Sequence, residues 1–288
     1  MLRDVGDTLA QARLGLIGVG VALHLAGLIV TGERWRVVVA ALGTRLKLTR
    51  TVLINLAGIF VRNVTPTTGV GGDASRVVLL RAEGVPLAQA TAAFAYVRLA
   101  EVPPLALVAL LSTTAIASTV RRSTTALEIT GAVLAVLAAA AWTQRGRARA
   151  VLADHWRRTA HLRSDRGSMG LAILYAATAQ VESIVRQAVV AAAFGLPLTL
   201  AQSAAITAMS IVSGFVPTVG SIGAIDGTMV AGFMLFGADA HTAIAITVAE
   251  RLISYGVSTA LGAGAVAMLG GRRILRLVSD RQATTPAA

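Results

Sequence analysis

Charged residues recur inside apolar sequence at spacings that pair them. Asp73 and Arg76 lie three apart, as do Arg98 and Glu101, while Glu182 and Arg186 lie four apart. Residues three or four apart share one face of a helix, so each pair can neutralise itself across a turn. Glu250 and Arg251 are adjacent and point in different directions, and Asp226 precedes them. A charge at membrane depth costs about 2.5 kcal/mol or more unless it is paired or watered, so each of these residues needs a reason to be there. Guanidinium groups bind anions, phosphate above all. The set Arg76, Arg98, Arg186 and Arg251 therefore points to a negatively charged substrate, with Asp73, Glu101, Asp226 and Glu250 neutralising the empty site. Metal and thiol chemistry find no support. The chain has no cysteine, and His24, His155, His161 and His241 are scattered without metal-ligand spacing. No cofactor is expected.

The elements that position these charges are cut by paired Pro and Gly breaks. Pro66, Gly69 and Gly72 recur as Pro217, Gly220 and Gly223 at a shift of 151 residues, and Gly84 and Arg98 recur as Gly237 and Arg251 at 153. A short insertion explains the slip. Asp73 and Asp226 follow their breaks, and each is suited to cap the half-helix behind it, since a carboxylate there accepts free amide hydrogens at the positive end of the helix dipole. Arg76 sits in a first turn where a cation is disfavoured, so either Asp73 or an anionic ligand must balance it. Pro103 and Pro104 follow Glu101 and predict a helix break near the site.

Composition places these elements in a bilayer. The chain is 55% hydrophobic and only 14% charged, against roughly 25% charged in soluble domains. Apolar runs long enough to cross the hydrocarbon core occur near 14–32, 87–118, 125–143, 168–195 and 240–268. The stretches Thr51–Ala82 and Thr199–Phe236 are each broken into two half-length helices. The expected fold is an all-α integral membrane protein with five full spans and two re-entrant hairpins, forming a single transmembrane domain over 1–288. Nothing at the N-terminus reads as a cleaved signal, so the first run is taken as a span.

The net charge of +12 is a topology signal rather than a nucleic-acid footprint. Five cations lie in 33–50, among them Arg34, Arg36 and Arg45, seven in 144–166, and four in the tail after 271. Placing loops 33–50 and 144–167 and the C-terminus in the cytoplasm makes the first hairpin dip from the inner face and the second from the outer face. The result is an inverted repeat, 14–118 and 168–268, joined by a linker helix at 125–143 and the basic loop 144–167. The tail 269–288 reads as flexible. Arg121 and Arg122 mildly oppose this orientation. Seven or more ordinary kinked spans would be the plainer arrangement, and it would leave the repeat without explanation. Duplicated breaks flanked by charges are the sequence mark of a midplane substrate site in a transporter.

The run from Asn63 through Pro66, Gly69, Gly71, Gly72 and Asp73 to Arg76, followed by Gly84-Val85-Pro86 and Arg98, resembles the signature of the transmembrane domain of lysylphosphatidylglycerol synthetases. Pro217 to Asp226 is similar to that family's second motif, with Asp where Glu is usual, and Arg34-Trp35-Arg36 is similar to its "R-W-x" end. The resemblance implies translocation of a lipid or lipid-linked intermediate between leaflets. It brings Asn63 into the binding set. Only about 13 residues precede the first span, fewer than the family's usual first helix needs. No aminoacyltransferase domain follows in this sequence, so the chain is expected not to be an enzyme. The expected function is a lipid translocase in a bacterial or archaeal cell membrane. Its partners would be anionic phospholipid or polyprenyl-phosphate-linked lipid, with no nucleic acid. An ion-coupled transporter of a small anionic solute is the alternative, with Asp73, Glu101 or Glu250 carrying the proton. A passive scaffold would leave the charged breaks without purpose.

Overall fold

The computed structural model describes residues 2–65, 70–120, 166–213 and 223–270. Among them every regular element is a helix. A short α1 (Leu2–Ala10) precedes α2 (Leu14–Ala41), α3 (Leu48–Val64), α4 (Val70–Ala82) and α5 (Leu87–Val120). The second half runs α6 (Arg166–Ala193), α7 (Leu200–Ser213), α8 (Ala224–Leu235) and α9 (Ala240–Arg251). A π-helical turn, Leu252–Val257, then leads into α10 (Ser258–Met268). Among the described residues four continuous stretches are long and apolar enough to cross a membrane: Leu14–Ala41, Leu87–Ser112, Arg166–Ala193 and Ala240–Met268. The predicted fifth span at 125–143, the loop 144–167 up to 165, and the tail beyond 270 lie outside the described residues.

The helices of the two halves start and stop at a nearly constant offset. Leu14 and Ala41 bound α2, and Arg166 and Ala193 bound α6, 152 residues on. The ends of α4 and α8 and the starts of α5 and α9 correspond at 153. The same turn chemistry closes the corresponding helices. Gly43, Gly84, Gly195 and Gly237 adopt positive φ, and the residue after each donates its N–H to the carbonyl five residues back: Thr44 to Val39, Val85 to Leu80, Leu196 to Ala191 and Ala238 to Phe233. This is the 6→1 bond of a Schellman end, which glycine permits because it has no Cβ to clash in the left-handed conformation. The paired helices between these ends are short. At 1.5 Å per residue, α3 and α4 reach about 26 and 20 Å, and α7 and α8 about 21 and 18 Å, each short of the roughly 30 Å hydrocarbon core.

Packing is reciprocal between the halves. α2 lies along α6, α3 packs on α10, and α7 packs on α5, so the first short helix of each half rests on the last long helix of the other. Close approach depends on small residues, as is usual where helices meet in lipid. A Cβ on Gly262 of α10 would lie 2.6 Å from the Leu56 carbonyl of α3, and one on Gly72 of α4 would lie 2.6 Å from the Gly58 carbonyl. The turn before α9 carries its own cap. Asp239 accepts the Thr242 N–H at 3.0 Å and its hydroxyl at 2.9 Å, which holds its carboxyl below the usual aspartate value.

Three sequence expectations are corrected. The first span does not end near 32 but continues to Ala41, so Arg34 and Arg36 belong to the helix and not to a connector; nothing interrupts the helical run until Gly43. The half-helix expected to start at Gly72 starts at Val70, which places Asp73 within its first turn. Pro103 and Pro104 do not break α5, which is continuous through them. The missing N–H groups leave the carbonyls of Leu99 and Ala100 without helical donors, directly between Arg98 and Glu101. The π-helical turn occupies the corresponding place in the second half, directly after Arg251.

Candidate functional site

Four elements supply charge to one cavity of about 470 Å³. On α3, Asn55, Ile59 and Arg62 follow the i, i+4, i+7 rhythm of one helix face, and all three line the cavity. α4 contributes Asp73 and Arg76 from its N-terminal turns, α5 contributes Arg98, Glu101 and Pro104, and α2 contributes Thr31, Arg34 and Trp35. Ala176, Ala179 and Gln180 of α6 close the far wall. The volume suits a headgroup-sized ligand, since small-molecule pockets run from about 300 to 1,000 Å³.

The charges form a continuous alternating chain. Arg76 donates to Asp73 at 2.7 Å, and Asp73 also accepts from Arg98 at 2.5 Å. Arg98 reaches on to Glu101 at 2.8 Å, and Glu101 accepts from Arg34 at 2.6 Å. Arg34 and Arg76 are 6% and 5% exposed. Arg62 lines the same cavity and makes no ion pair among the described residues. Four guanidinium groups thus face two carboxylates, and the cavity keeps two positive charges in excess. Arg34 and Arg76 are buried while Arg62 and Arg98 are exposed, and because buried cations are costly unless anions compensate, four cations against two carboxylates leave the site short of negative charge. That is the property an anion-binding site requires.

Supporting groups fix the geometry. The Arg76 guanidinium lies 6.0 Å from the Trp35 ring centre and that of Arg98 lies 5.7 Å from Phe94, within reach of a cation–π contact. Gly58 leaves the space Arg76 occupies, because a Cβ there would stand 2.6 Å from its Cγ and 2.7 Å from its Nε. Asn55 is 1% exposed, and among the described residues neither its amide nitrogen nor its oxygen has a hydrogen-bond partner; the Nε atoms of Arg34 and Arg76 likewise have none among them.

The second half repeats one of these pairs. Arg251 is ion-paired with Asp226, 25 residues before it, and Arg98 pairs with Asp73 across the same separation. The acid therefore keeps its place relative to the arginine, and the insertion lies between Gly223 and Asp226. Asp226 also accepts the Gly223 N–H at 2.9 Å, capping α8 as expected. Asp73 pairs with Arg76 and Arg98. Asp226, Arg251 and Tyr255 line a second, mainly apolar cavity of about 400 Å³.

The remaining predicted residues lie elsewhere. Arg186 binds Glu182 at 3.0 Å and is also paired with Glu250; Arg186 and Glu250 are buried and Glu182 half-buried, and the trio joins α6 to α9 outside the lining of both cavities. Beside it, His24 of α2 shares a 2.7 Å hydrogen bond with Ser258 of α10. Asn63 donates to Thr259 at 2.8 Å while its carbonyl accepts from Tyr255 at 2.6 Å, tying α3 to the last helix. Pro66, Gly69, Pro217 and Gly220 lie outside the described residues, whereas Gly71 and Gly72 open α4 and Gly223 precedes α8. Arg34, Arg62 and Asn55 were absent from the sequence-derived set. The rhythm 55, 59, 62 could have revealed two of them. Arg34 was hidden by its membership of a basic cluster.

Comparison with known proteins points to a membrane-protein family. An 88-residue stretch is 32% identical to a UPF0104 membrane protein of Methanothermobacter thermautotrophicus. It covers 30% of this chain and 26% of that protein, so the match spans about a quarter of the relative's length. The model of the lysylphosphatidylglycerol synthase TM region matches residues 1–262. Covering nearly the whole chain, including every charged element of both cavities, that match makes this a membrane protein of the lysylphosphatidylglycerol synthase transmembrane-region family.

Proposed function

We propose that the chain is a lipid translocase, not an enzyme, and that it moves an anionic headgroup between leaflets through the arginine cavity between α2, α3, α4 and α5. The observation that carries this reading is the charge count of that cavity: four guanidinium groups against two carboxylates, enclosed by apolar helices. A phosphate diester or monoester entering it restores neutrality and displaces carboxylate oxygens from Arg98, which is the most accessible member of the chain of ion pairs. An occluded, neutral complex can then change its exposure at lower cost than a bare charge.

The inverted arrangement of two re-entrant hairpins belongs to the same proposal. It is supported by the constant offset of 152–153 residues between corresponding helix ends, by the reciprocal packing of α3 on α10 and α7 on α5, and by short paired helices on each side. In this reading the cytoplasmic end of α2 with the turn 42–47, the segment 144–165 and the C-terminus face the cytoplasm, and the membrane is that of a bacterial or archaeal cell. Headgroups of anionic phospholipids or polyprenyl phosphates fit the charge.

The test is leaflet exchange of labelled anionic phospholipid or polyprenyl phosphate in liposomes containing the purified protein, against Arg98→Gln and Arg251→Gln. Exchange that falls in the variants, with thermal stability retained, is the expected result. Exchange at the wild-type rate in both variants overturns the proposal. A small labelled anion that crosses while no lipid does would turn the reading to a solute transporter.

A further inference from the structure

The ion-pair trio between α6 and α9 lines neither cavity, and its charges do not balance. Arg186 meets Glu182 through Nε and Glu250 through one terminal nitrogen, so one guanidinium answers two carboxylates. Glu250 is buried, and its second oxygen, Oε1, has no hydrogen-bond partner among the described residues. Glu182 is half-buried and rests against α2 at Gly27, where a Cβ would stand 2.6 Å from its Oε2. The groups around the trio leave its count as it is. His24 of α2, within electrostatic reach of Arg186, is hydrogen-bonded through Nε2 to Ser258 of α10. Arg251, next to Glu250, is paired with Asp226 of α8. Arg98 and Glu101 of α5 and Arg34 of α2 belong to the arginine cavity, and Arg36 of α2 is paired with Glu33. The described side chains of α1, which packs on α9, add only the exposed Asp7, while α7, the π-helical turn and α10 carry no charged residue.

We propose that the trio is a proton-binding site, in which Glu182 and Glu250 hold one proton between them, and that this proton couples exchange to a pH gradient. A buried charge without a partner is costly, and one proton brings the count to one carboxylate per guanidinium. The step is the formation of one O–H bond on a carboxylate, with the proton taken from water and later returned to it. A hard metal cation would need about six oxygens or more, and the guanidinium already between the two acids repels it. A proton needs one lone pair. An unpartnered oxygen also costs less on a neutral carboxyl than on an ionised one. The position of the trio links it to both cavities. The Thr31 hydroxyl, on the wall of the arginine cavity, donates to the Gly27 carbonyl at 2.9 Å, one turn of α2 from the cavity. At the other end, the Glu250 carbonyl accepts the Ser254 hydroxyl at 2.7 Å within the π-helical turn, an irregularity common at functional sites. A proton on Glu250 weakens its hold on Arg186 and so loosens α9 from α6. The proposal rests on the translocase reading and adds to it the ion that drives it.

The experiment follows the carbonyl stretch of protonated carboxyl groups by infrared difference spectroscopy of the purified full-length protein as the pH is stepped. Wild type is expected to show a buried carboxyl that takes up a proton. Glu182→Gln and Glu250→Gln are each expected to lose that signal, because either change leaves one carboxylate for one guanidinium, and thermal melts in parallel establish that both variants are folded. His24→Gln should keep the signal. A second arm measures exchange of fluorescent anionic phospholipid in proteoliposomes with and without a pH gradient: wild type should respond to the gradient, and the two glutamate variants should not. A carboxyl signal that survives in either glutamate variant, or one lost only in His24→Gln, overturns the proposal. Wild-type exchange indifferent to the gradient overturns the coupling. Lipid exchange in a protein with no titrating carboxyl refutes the proton site and leaves the lipid reading standing. A gradient-driven flux of a small labelled anion, with the carboxyl signal present and no lipid moving, supports the proton site and refutes the lipid reading.

Discussion

Arg62 offers the sharpest test of the cavity because it carries charge without holding the fold together. Arg62→Gln keeps a long polar side chain and removes one of the two surplus positive charges. No ion pair among the described residues is broken, and Asp73 and Glu101 keep both of their arginine partners. Stability should therefore change by less than about 0.5 kcal/mol, as for substitutions away from packed networks. Anion binding should change far more. A charge-assisted hydrogen bond contributes about 1.5–3 kcal/mol, which is about ten- to a hundredfold or slightly more in affinity. The assay is exchange of fluorescent anionic phospholipid in proteoliposomes as a function of its mole fraction, read by quenching of the outer leaflet, with thermal melts in parallel. The expected variant melts with wild type and needs at least about tenfold more lipid for half-maximal rate. Wild-type rates at every mole fraction would refute the idea that the surplus charge binds substrate, and a collapsed melt would show that Arg62 is structural.

Other consequences follow from particular contacts. Gly58→Ala places a Cβ within 2.6–3.0 Å of Arg76, so it should push that guanidinium from Asp73, costing about 1–3 kcal/mol in stability and slowing exchange; denaturant unfolding in detergent together with the exchange assay checks it. Arg186→Met strands Glu182 and Glu250 in the core and should cost about 3–5 kcal/mol, whereas Glu250→Gln leaves the Arg186–Glu182 pair intact and should cost much less; unfolding midpoints rank the two. The chain has no cysteine, so single labels are clean. Arg45→Cys and Pro197→Cys, in corresponding exposed turns of the two halves, should react with an impermeant maleimide from opposite faces of the membrane, and labelling from one face would reject the inverted arrangement.

Much of the fold could be read from residue order. Pro and Gly cut the apolar runs at 51–82 and 199–236 because one removes a helical donor and the other loosens the backbone, and the short helix pairs fall there. The offset between halves is visible in Gly84, Arg98, Gly237 and Arg251. Local rules misled where tertiary packing outweighed them. Pro103 and Pro104 predict a break, yet α5 runs on, since neighbouring helices can hold a proline-containing helix in place. Arg34 and Arg36 counted as connector charges because a charge tally takes no account of burial, while in the structure Arg34 is buried against Glu101.

The sequence by itself determined an apolar membrane-protein composition, the order of long and short helices among the described residues, the offset between corresponding residues of the two halves, and the intrahelical pairs Asp73–Arg76, Arg98–Glu101 and Glu182–Arg186. Each of these depends on composition or on neighbours within one turn, which the chain carries locally. Only the tertiary structure decided which charges share a cavity. Arg34 meets Glu101 across 67 residues and Arg186 meets Glu250 across 64, through the packing of helices from distant parts of the chain. That packing assigned Glu250 to an ion-pair trio and Asn63 to a helix contact, and it gathered Arg62, Asn55 and Arg34 around one cavity. Helix propensity and hydropathy cannot encode such a choice, because several arginines were equally available to each carboxylate until the helices were brought together.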